Sequence, residues 1–397
     1  MKLISATNLI RLLLIVTLAP IFIVSVWWAI HASGNEHLVR SFQISTLRGY
    51  LGPHINDHHS FDTRPIAARG GQPWPKHTQY NQENLSPELR RVLTESKSSA
   101  YLVIKDGEIL TEHYFHPYGR LSKTNSFSIA KTINTLLVGA AIDDGLIESF
   151  DTPVTHYVPE LNGYAEGVTL ANLSAMTSGM IWQEVSLSPL SQIMRLLYGY
   201  DVDSVAMQQP FYGNPGSKFN YSSASTQLLG LALKRALNGR LLSDYLSEKF
   251  WQPMGMNDSG LWHTDANGNE LVFCCISTNA RNYAKFGQLL MQQGIWQEKT
   301  LIFSDFVKRM LAENIEPYYG HSVWRGKTEA VEYSALMGHF GQYVIMVPSE
   351  NMVIVRLGEK RHPDFMINSG PDILETEVRF YVEASMAIVS MSLASLD

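Results

Sequence analysis

The sequence predicts an α/β domain in which two groups of strands enclose a long helical stretch. Strand patterns appear first in YLVIKDGEILTEHYF (101–115), where Asp106-Gly107 is typical of a hairpin turn. They return near the C-terminus as VEYSALMG (331–338), QYVIMVP (342–348) and MVIVRLG (352–358). Because neither group forms a covered sheet alone, we expect both to join one sheet around a helical insertion.

Helical periodicity fills the region between the strands. Ile129, Ile133, Leu136, Leu137 and Ala140 recur on one helical face, and Gly145 follows as a C-cap candidate. Another helix is predicted to begin near Ser86-Pro87, with the proline in its first turn. Further helical patterns cover 170–176, 224–237, 241–250, 279–293, 300–312 and 373–391.

Composition excludes several classes of protein. Of 397 residues, 45% are apolar and 17% are charged, which is incompatible with a disordered chain. The net charge of −6 argues against a nucleic-acid-binding protein, which normally carries a basic excess. The sequence contains no glycine-rich phosphate loop and no zinc motif, so no cofactor is predicted.

The N-terminus predicts a membrane anchor. Residues 12–30 form an uncharged run of nineteen residues, long enough as a helix to span about 28 Å. Lys2 and Arg11 precede it, so the positive-inside rule places the remainder of the chain outside the cytoplasm. A cleaved signal peptide is the alternative. We expect an anchor over 1–33, a linker and wrapping arm over 34–98, and the main α/β domain over 99–397.

Two clusters of potential ligands are interpreted as structural. His54, Asp57, His58, His59 and Asp62 match no standard metal-ligand spacing, so we expect a solvated loop. Cys274 and Cys275 are neighbours in an apolar segment, so they indicate buried packing and no disulfide framework can be inferred from them.

Ser128 and Lys131 are the first candidates for chemistry. In a helix, residues i and i+3 share a face, so the lysine lies beside the serine at the helix N-terminus. A buried lysine can lose its charge and take the serine proton, which activates the hydroxyl as a nucleophile. An isolated S-x-x-K is more often a capping serine followed by an exposed lysine.

Two further segments carry candidates. Tyr221 follows the Pro215-Gly216 turn at a predicted helix start, where a pKa lowered by Lys131 would allow proton relay; a packed aromatic is the alternative. Two glycines enclose the entry to a predicted strand in Gly338-His339-Phe340-Gly341-Gln342. A backbone N–H at this strand edge can complete an oxyanion hole with the N–H of Ser128. The alternative is that the segment is only a hairpin turn.

Together these segments resemble the serine β-lactamase and penicillin-binding-protein superfamily over residues 99–390. The chain looks most like class C β-lactamase-related esterases and amidases, especially 6-aminohexanoate-oligomer hydrolases. The matching stretches are SFSIAKTINTLLVGAAIDDGLIESFDTPVTHYVPEL, MTSGMIWQE, PGSKFNYSSASTQLLG, YLSEKFWQPMGM, FCCISTNARNYAKFGQLLMQQG and GHFGQYVIMVP.

The resemblance implies an antiparallel sheet flanked by helices with a helical subdomain between strands. It also implies that Ser128 is acylated, that Lys131 and Tyr221 act as its base, and that the N–H groups of Ser128 and Gln342 form the oxyanion hole. Trp182 would line the substrate cleft.

Two departures concern substrate binding. Ser223 stands where β-lactamases carry an asparagine, and His339-Phe340-Gly341 replaces Lys-Thr-Gly. A mostly neutral histidine holds a β-lactam carboxylate poorly, so we expect esters or small linear amides as substrates. The alternative is a non-hydrolytic binding or sensor module with the same fold. The oligomeric state is not predicted.

Overall fold

The computed structural model describes residues 6–184, 188–365 and 370–394, with side chains from residue 16 onward. Its strands, in chain order, are β1 (Thr63–Ile66), β2 (Ser98–Lys105), β3 (Glu108–Tyr114), β4 (Thr124–Asn125), β5 (Gly260–His263), β6 (Ile276–Thr278), β7 (Ile295–Trp296), β8 (Lys299–Thr300), β9 (Trp324–Lys327), β10 (Glu332–Gly338), β11 (Gln342–Val347) and β12 (Met352–Gly358).

Most of the predicted helices are present within a few residues of their expected bounds. In chain order the α-helices are α1 (Ala6–Ala32), α2 (His37–Ile44), α3 (Pro87–Glu95), α4 (Ile129–Asp143), α5 (Val154–Tyr157), α6 (Leu170–Ser174), α7 (Gln192–Tyr198), α8 (Val202–Met207), α9 (Ser223–Ala236), α10 (Leu242–Leu246), α11 (Ala280–Met291), α12 (Ser304–Leu311) and α13 (Arg379–Ala394). Short π-helical turns at Ser247–Trp251 and Leu374–Val378 extend α10 and precede α13.

A six-stranded antiparallel sheet unites the two predicted groups of strands. Its order is β3-β2-β12-β11-β10-β9, and β12 pairs with β2 so that Ile354 lies opposite Val103. The hairpin at Asp106-Gly107 is confirmed, since both residues adopt positive φ as a tight hairpin turn requires. The predicted α/β sheet around a helical insertion is therefore correct.

Both faces of this sheet are covered by helices. Along β2, Leu102 and Ile104 belong to one apolar core, while Tyr101 and Val103 belong to another on the opposite face. Helices α4 and α11 pack on the first face, and α3 and α13 on the second. Because side chains on both faces of the sheet are buried, the strand sequences are nearly continuous apolar runs.

A second sheet, which the sequence did not predict, lies under the start of α4. Its order is β1-β5-β6-β4, all antiparallel. Its strands are only two to four residues long, too short for a period-two pattern to stand out. Because β4 ends at Asn125, this sheet fixes the backbone three residues before Ser128.

Residues 34–98 are fastened to the remainder of the chain by buried polar contacts. Arg40 donates to the carbonyl oxygens of Gly199 (2.7 Å) and Thr264 (3.0 Å). Lys285 donates to the carbonyl of Gln72 at 3.0 Å.

The expectation of a solvated loop is wrong for Asp57. This residue is buried, and burial raises the pKa of its carboxyl group to about 7. Among the described residues no three His, Cys, Asp or Glu converge as metal ligands.

The single transmembrane helix predicted over residues 12–30 is not supported. Within the described residues no one helix has the length and apolar content to cross a bilayer, although Val16–Ala32 and His37–Arg48, bent by 120°, meet the requirement as a pair. The apolar side chains of α1 from Val16 to Trp28 are largely exposed, and Pro20 lies inside this helix.

The adjacent cysteines are buried, as predicted, but they are also bonded to each other. Cys274 and Cys275 form a disulfide immediately after Phe273, and Cys275 adopts a positive φ of 79°. The pairing corrects the expectation that these residues act only as small apolar side chains.

Candidate active site

Ser128 occupies the N-cap position of α4 and is half-buried. The turn before it is sharp because Phe127 has a positive φ of 45° while its N–H donates to the Asn125 side chain at 3.0 Å. Ser126 is tied to β6 by a hydrogen bond from its N–H to the Ile276 carbonyl at 2.7 Å. The second sheet therefore presents the Ser128 hydroxyl at the start of the helix.

Lys131 lies one helical turn further on and is 1% exposed. Its Nζ donates to Ser128 Oγ at 3.1 Å, to Ser223 Oγ at 2.9 Å and to the Phe273 carbonyl at 2.9 Å. Burial lowers the pKa of Lys131 to about 8, against a smaller opposing effect of Glu184. A lysine in this state is neutral in an appreciable fraction of molecules near neutral pH and can accept a proton.

Tyr221 is also brought to Ser128, but its acidity differs from the prediction. Its ring stacks on Trp324 at 5.5 Å between centroids and lies 5.2 Å from Lys131 Nζ, and its hydroxyl is close enough to that of Ser128 for the serine to lower its pKa slightly. The expected lowering of its pKa is wrong: burial, assisted by the Glu184 carboxylate, raises the pKa of Tyr221. Tyr221 is therefore a protonated phenol at neutral pH, suited to donating a proton.

Ser223 connects Lys131 to a carboxylate that the sequence analysis missed. Its hydroxyl donates to Glu184 Oε1 at 2.5 Å, and its N–H donates to Glu184 Oε2 at 2.9 Å. Trp182, buried and predicted to line the cleft, donates from Nε1 to the same Oε2 at 2.5 Å. The site thus contains a hydrogen-bonded chain from Ser128 through Lys131 and Ser223 to Glu184.

One signal in the sequence marks Glu184. It is the only charged residue between Glu166 and Arg195, and it follows the Thr-Ser-Gly segment at 177–179. A lone carboxylate in such a stretch is unusual, but nothing local shows that the loop returns to the start of α9. Trp182 is only two residues away, but Ser223 is 39 residues further along the chain.

The glycine-bracketed turn lies against the nucleophile segment. A Cβ at Gly338 would collide with the Ser126 carbonyl, and the Phe127 ring packs edge-on against His339 and Phe340. Phe340 and Gly341 both have positive φ, 62° and 77°. This geometry brings the start of β11 beside Ser128, as an oxyanion hole at this place requires.

Gln342 contributes its backbone to this region, since its side chain points inward. Nε2 donates to the His339 and Gly358 carbonyls at 3.0 and 2.7 Å. The role of its N–H as an oxyanion donor stays a prediction.

Arg356 is the second residue that the sequence analysis missed. It is fully buried in β12, and its five N–H groups donate to Ser98 Oγ and to the carbonyls of Phe340, Gly341, Ser96 and Lys360, at 2.8 to 3.1 Å. A Cβ at Gly341 would lie 2.6 Å from its Nη1, so glycine is required there. In an apolar strand sequence this arginine gave no sign of its role.

His339 stands at the edge of the site and carries little positive charge. Phe340 packs on its ring at 4.0 Å, and removal from solvent lowers its pKa below the usual 6.5, with Glu184 opposing. This agrees with the expectation of a neutral imidazole at this strand position.

The fold and the paired Ser128 and Lys131 define a serine hydrolase of the β-lactamase type, and the comparisons agree. The family model described as Beta-lactamase matches residues 91–376, so the chain belongs to that family. It is 25% identical, over 70% of its length and 76% of the relative, to the 6-aminohexanoate-dimer hydrolase of Paenarthrobacter ureafaciens.

Solved structures share the fold. A Bacillus anthracis protein provisionally assigned as a 6-aminohexanoate-dimer hydrolase superposes with a TM-score of 0.73 at 18% identity, covering 89% of this chain and 95% of the other. A family VIII carboxylesterase superposes with a TM-score of 0.57 at 17% identity, covering 77% and 99%. The prediction of a β-lactamase-related hydrolase is confirmed.

Proposed function

We propose that this protein hydrolyses ester or small linear amide bonds through an acyl-enzyme on Ser128. The observation that carries the proposal is the 3.1 Å contact between Lys131 Nζ and Ser128 Oγ, made by a buried lysine whose pKa lies near 8. A base within hydrogen-bond reach and with a pKa near the working pH suits general-base catalysis.

The chemistry follows from the protonation states. Neutral Lys131 takes the Ser128 proton as Oγ attacks the substrate carbonyl, and the oxyanion is held by the N–H groups of Ser128 and Gln342. Tyr221, a protonated phenol beside Ser128, supplies a proton to the leaving alcohol or amine. Lys131 then returns its proton to Tyr221. In the second half, water gives a proton to Lys131 as it attacks the acyl-enzyme, and Lys131 passes that proton to Ser128 Oγ as the acid product leaves.

The charges at the site favour neutral substrates over β-lactams. Burial keeps His339 mostly neutral at neutral pH, so residue 339 itself offers no cation to a substrate carboxylate. The nearby Arg361, whose charge also lowers the pKa of His339, is paired with Glu377. Short-chain esters and neutral amides lack that carboxylate. The names of the relatives, a 6-aminohexanoate-dimer hydrolase and a carboxylesterase, support this substrate class.

We also propose that the chain is attached to a membrane and that its catalytic domain lies outside the cytoplasm. It is supported by the basic residues before the apolar run and by the exposed apolar side chains of α1, which include Trp27 and Trp28. A disulfide between Cys274 and Cys275 also suits an oxidising compartment.

Labelling with a fluorophosphonate tests the acyl-enzyme. We expect one adduct, on Ser128 by peptide mapping, which is lost in Ser128→Ala and kept in Ser390→Ala, a matched change at an exposed serine of α13. An adduct on another residue, or labelling without hydrolysis of any ester or amide in a panel, would overturn the proposal.

A further inference from the structure

The Lys131 ammonium has a complete set of partners, and each partner constrains the others. Its three N–H groups are used by Ser128 Oγ, Ser223 Oγ and the Phe273 carbonyl. When Lys131 loses a proton to become a base, one of these three directions must receive its lone pair.

Two of the three partners of Lys131 cannot donate a hydrogen bond to the lone pair of the neutral amine. The Phe273 carbonyl offers only acceptor electrons, so it requires an N–H from Lys131. Ser223 has a single hydroxyl proton, and it donates that proton in a hydrogen bond to Glu184 Oε1, because a carboxylate can only accept and the two oxygens are 2.5 Å apart. Ser223 therefore also needs an N–H from Lys131.

We propose that Glu184 is a positioning residue that acts through Ser223: by holding the Ser223 proton, it leaves Ser128 as the donor facing the lone pair of neutral Lys131. The inference rests on the proposed function and adds a directional role for the carboxylate. Trp182 Nε1 and the Ser223 N–H, which both donate to Glu184 Oε2, hold the carboxylate so that Oε1 stays on the hydroxyl.

The inference makes the effect of Glu184 depend on Ser223. In Glu184→Gln the amide can donate to Ser223, whose hydroxyl then turns toward Lys131 and competes with Ser128 for the lone pair. In Ser223→Ala there is no competing hydroxyl, so the charge of residue 184 no longer decides where the lone pair points.

A double-mutant cycle in the full chain tests this dependence. Ester hydrolysis and fluorophosphonate acylation are measured for the unmodified protein, Glu184→Gln, Ser223→Ala and the double variant. The pH is set above the pKa of Lys131, so that the lysine is neutral in all four proteins. We expect Glu184→Gln to lower kcat at least ~10-fold alone and less than about twofold in the Ser223→Ala background, the pattern of coupled residues. Glu88→Gln, at an exposed carboxylate of α3, is the matched control and should change nothing.

The pH profile separates positioning from simple structural damage. Among the residues that the structure describes, Glu184 is the charge that raises the lysine pKa, and Tyr221 is the titratable side chain whose ring lies 5.2 Å from Nζ. Glu184→Gln should move the rising limb to lower pH, which a loosened fold would not do.

Several results would overturn the inference. These are equal losses from Glu184→Gln in both backgrounds, activity of Glu184→Gln within twofold of the unmodified protein, or loss of the whole rising limb, which would make Glu184 the base itself. Absence of Ser128 acylation in the unmodified protein would instead refute the proposed function.

Discussion

The Arg356 guanidinium donates a 2.8 Å hydrogen bond to the Gly341 carbonyl, and through it a buried charge in β12 fixes the turn that precedes Gln342. The same Nη1 donates to the Phe340 carbonyl at 2.8 Å. Two successive residues with positive φ are thus held by one side chain. None of the five described acceptors of Arg356 is a carboxylate: the guanidinium donates to four backbone carbonyls and to one hydroxyl.

Arg356→Lys should weaken transition-state stabilisation. Lysine has three N–H groups in place of five, so at least two acceptors lose their donor and the turn before Gln342 loosens. We expect kcat to fall at least ~10-fold with KM little changed, since losing one oxyanion donor outright costs about 10²–10³. The preference for an oxoester over the matched thionoester should also shrink.

Ser98→Ala is the matched control for Arg356→Lys. Of the Arg356 hydrogen bonds it removes only the 3.1 Å bond from Nε, together with the 3.3 Å bond between the Ser96 and Ser98 hydroxyls, and it leaves both bonds to the turn. A lower melting temperature with an unchanged oxo-to-thiono ratio is expected. An equal change of this ratio in both variants would argue against a specific role for the turn.

Activity should rise as pH increases through about 8. The pKa of Lys131 is lowered from its ordinary value to about 8, and the active form is the neutral amine, so activity is gained above that pKa and lost below it. kcat/KM for an uncharged ester, measured against pH, checks this. Lys131→Arg should remove the limb and lower the rate by at least ~10².

His339→Gln tests whether the limb belongs to Lys131. The pKa of His339 is lowered below 6.5, so its titration falls on the acidic side of the lysine limb. The limb should stay in place in this variant. Its disappearance would reassign the base.

Substrate preference should shift when a cation is placed at residue 339. A charge-assisted hydrogen bond contributes about 1.5–3 kcal/mol, so its absence corresponds to roughly a 10- to 150-fold weaker preference for carboxylate-bearing β-lactams. His339→Lys should raise kcat/KM for a cephalosporin relative to a neutral ester. Without the asparagine that Ser223 replaces, full β-lactamase activity is not expected. A cephalosporin preference in the unmodified protein would contradict this assignment.

Membrane attachment is tested on the full chain. A reporter fused after Asp397 should be active only outside the cytoplasm, and the protein should remain in the membrane after a carbonate wash. Deletion of residues 1–33 should release it. A soluble product trimmed near residue 35 would show that the segment is cleaved.

Features encoded over short distances were predictable from sequence, and those that depend on distant contacts were not. The i, i+3 spacing of Ser128 and Lys131 and the Asp106-Gly107 hairpin follow from local geometry. Glu184 reaches the site through a loop that returns to α9, and Arg356 looks like any strand residue until the turn at Phe340 is folded over it. The direction of the Tyr221 pKa shift depends on burial, which one segment does not reveal.

The pairing of β1 with β5 has a consequence for how the chain is made. Thr63 lies opposite His263, two hundred residues later in synthesis. Strand β1 is therefore synthesised long before its partner β5, and Ile66, which is fully buried in the folded protein, stays exposed to solvent until then. Such long-range pairing slows folding, so the turn that presents Ser128 is completed only after the strands that support it have emerged.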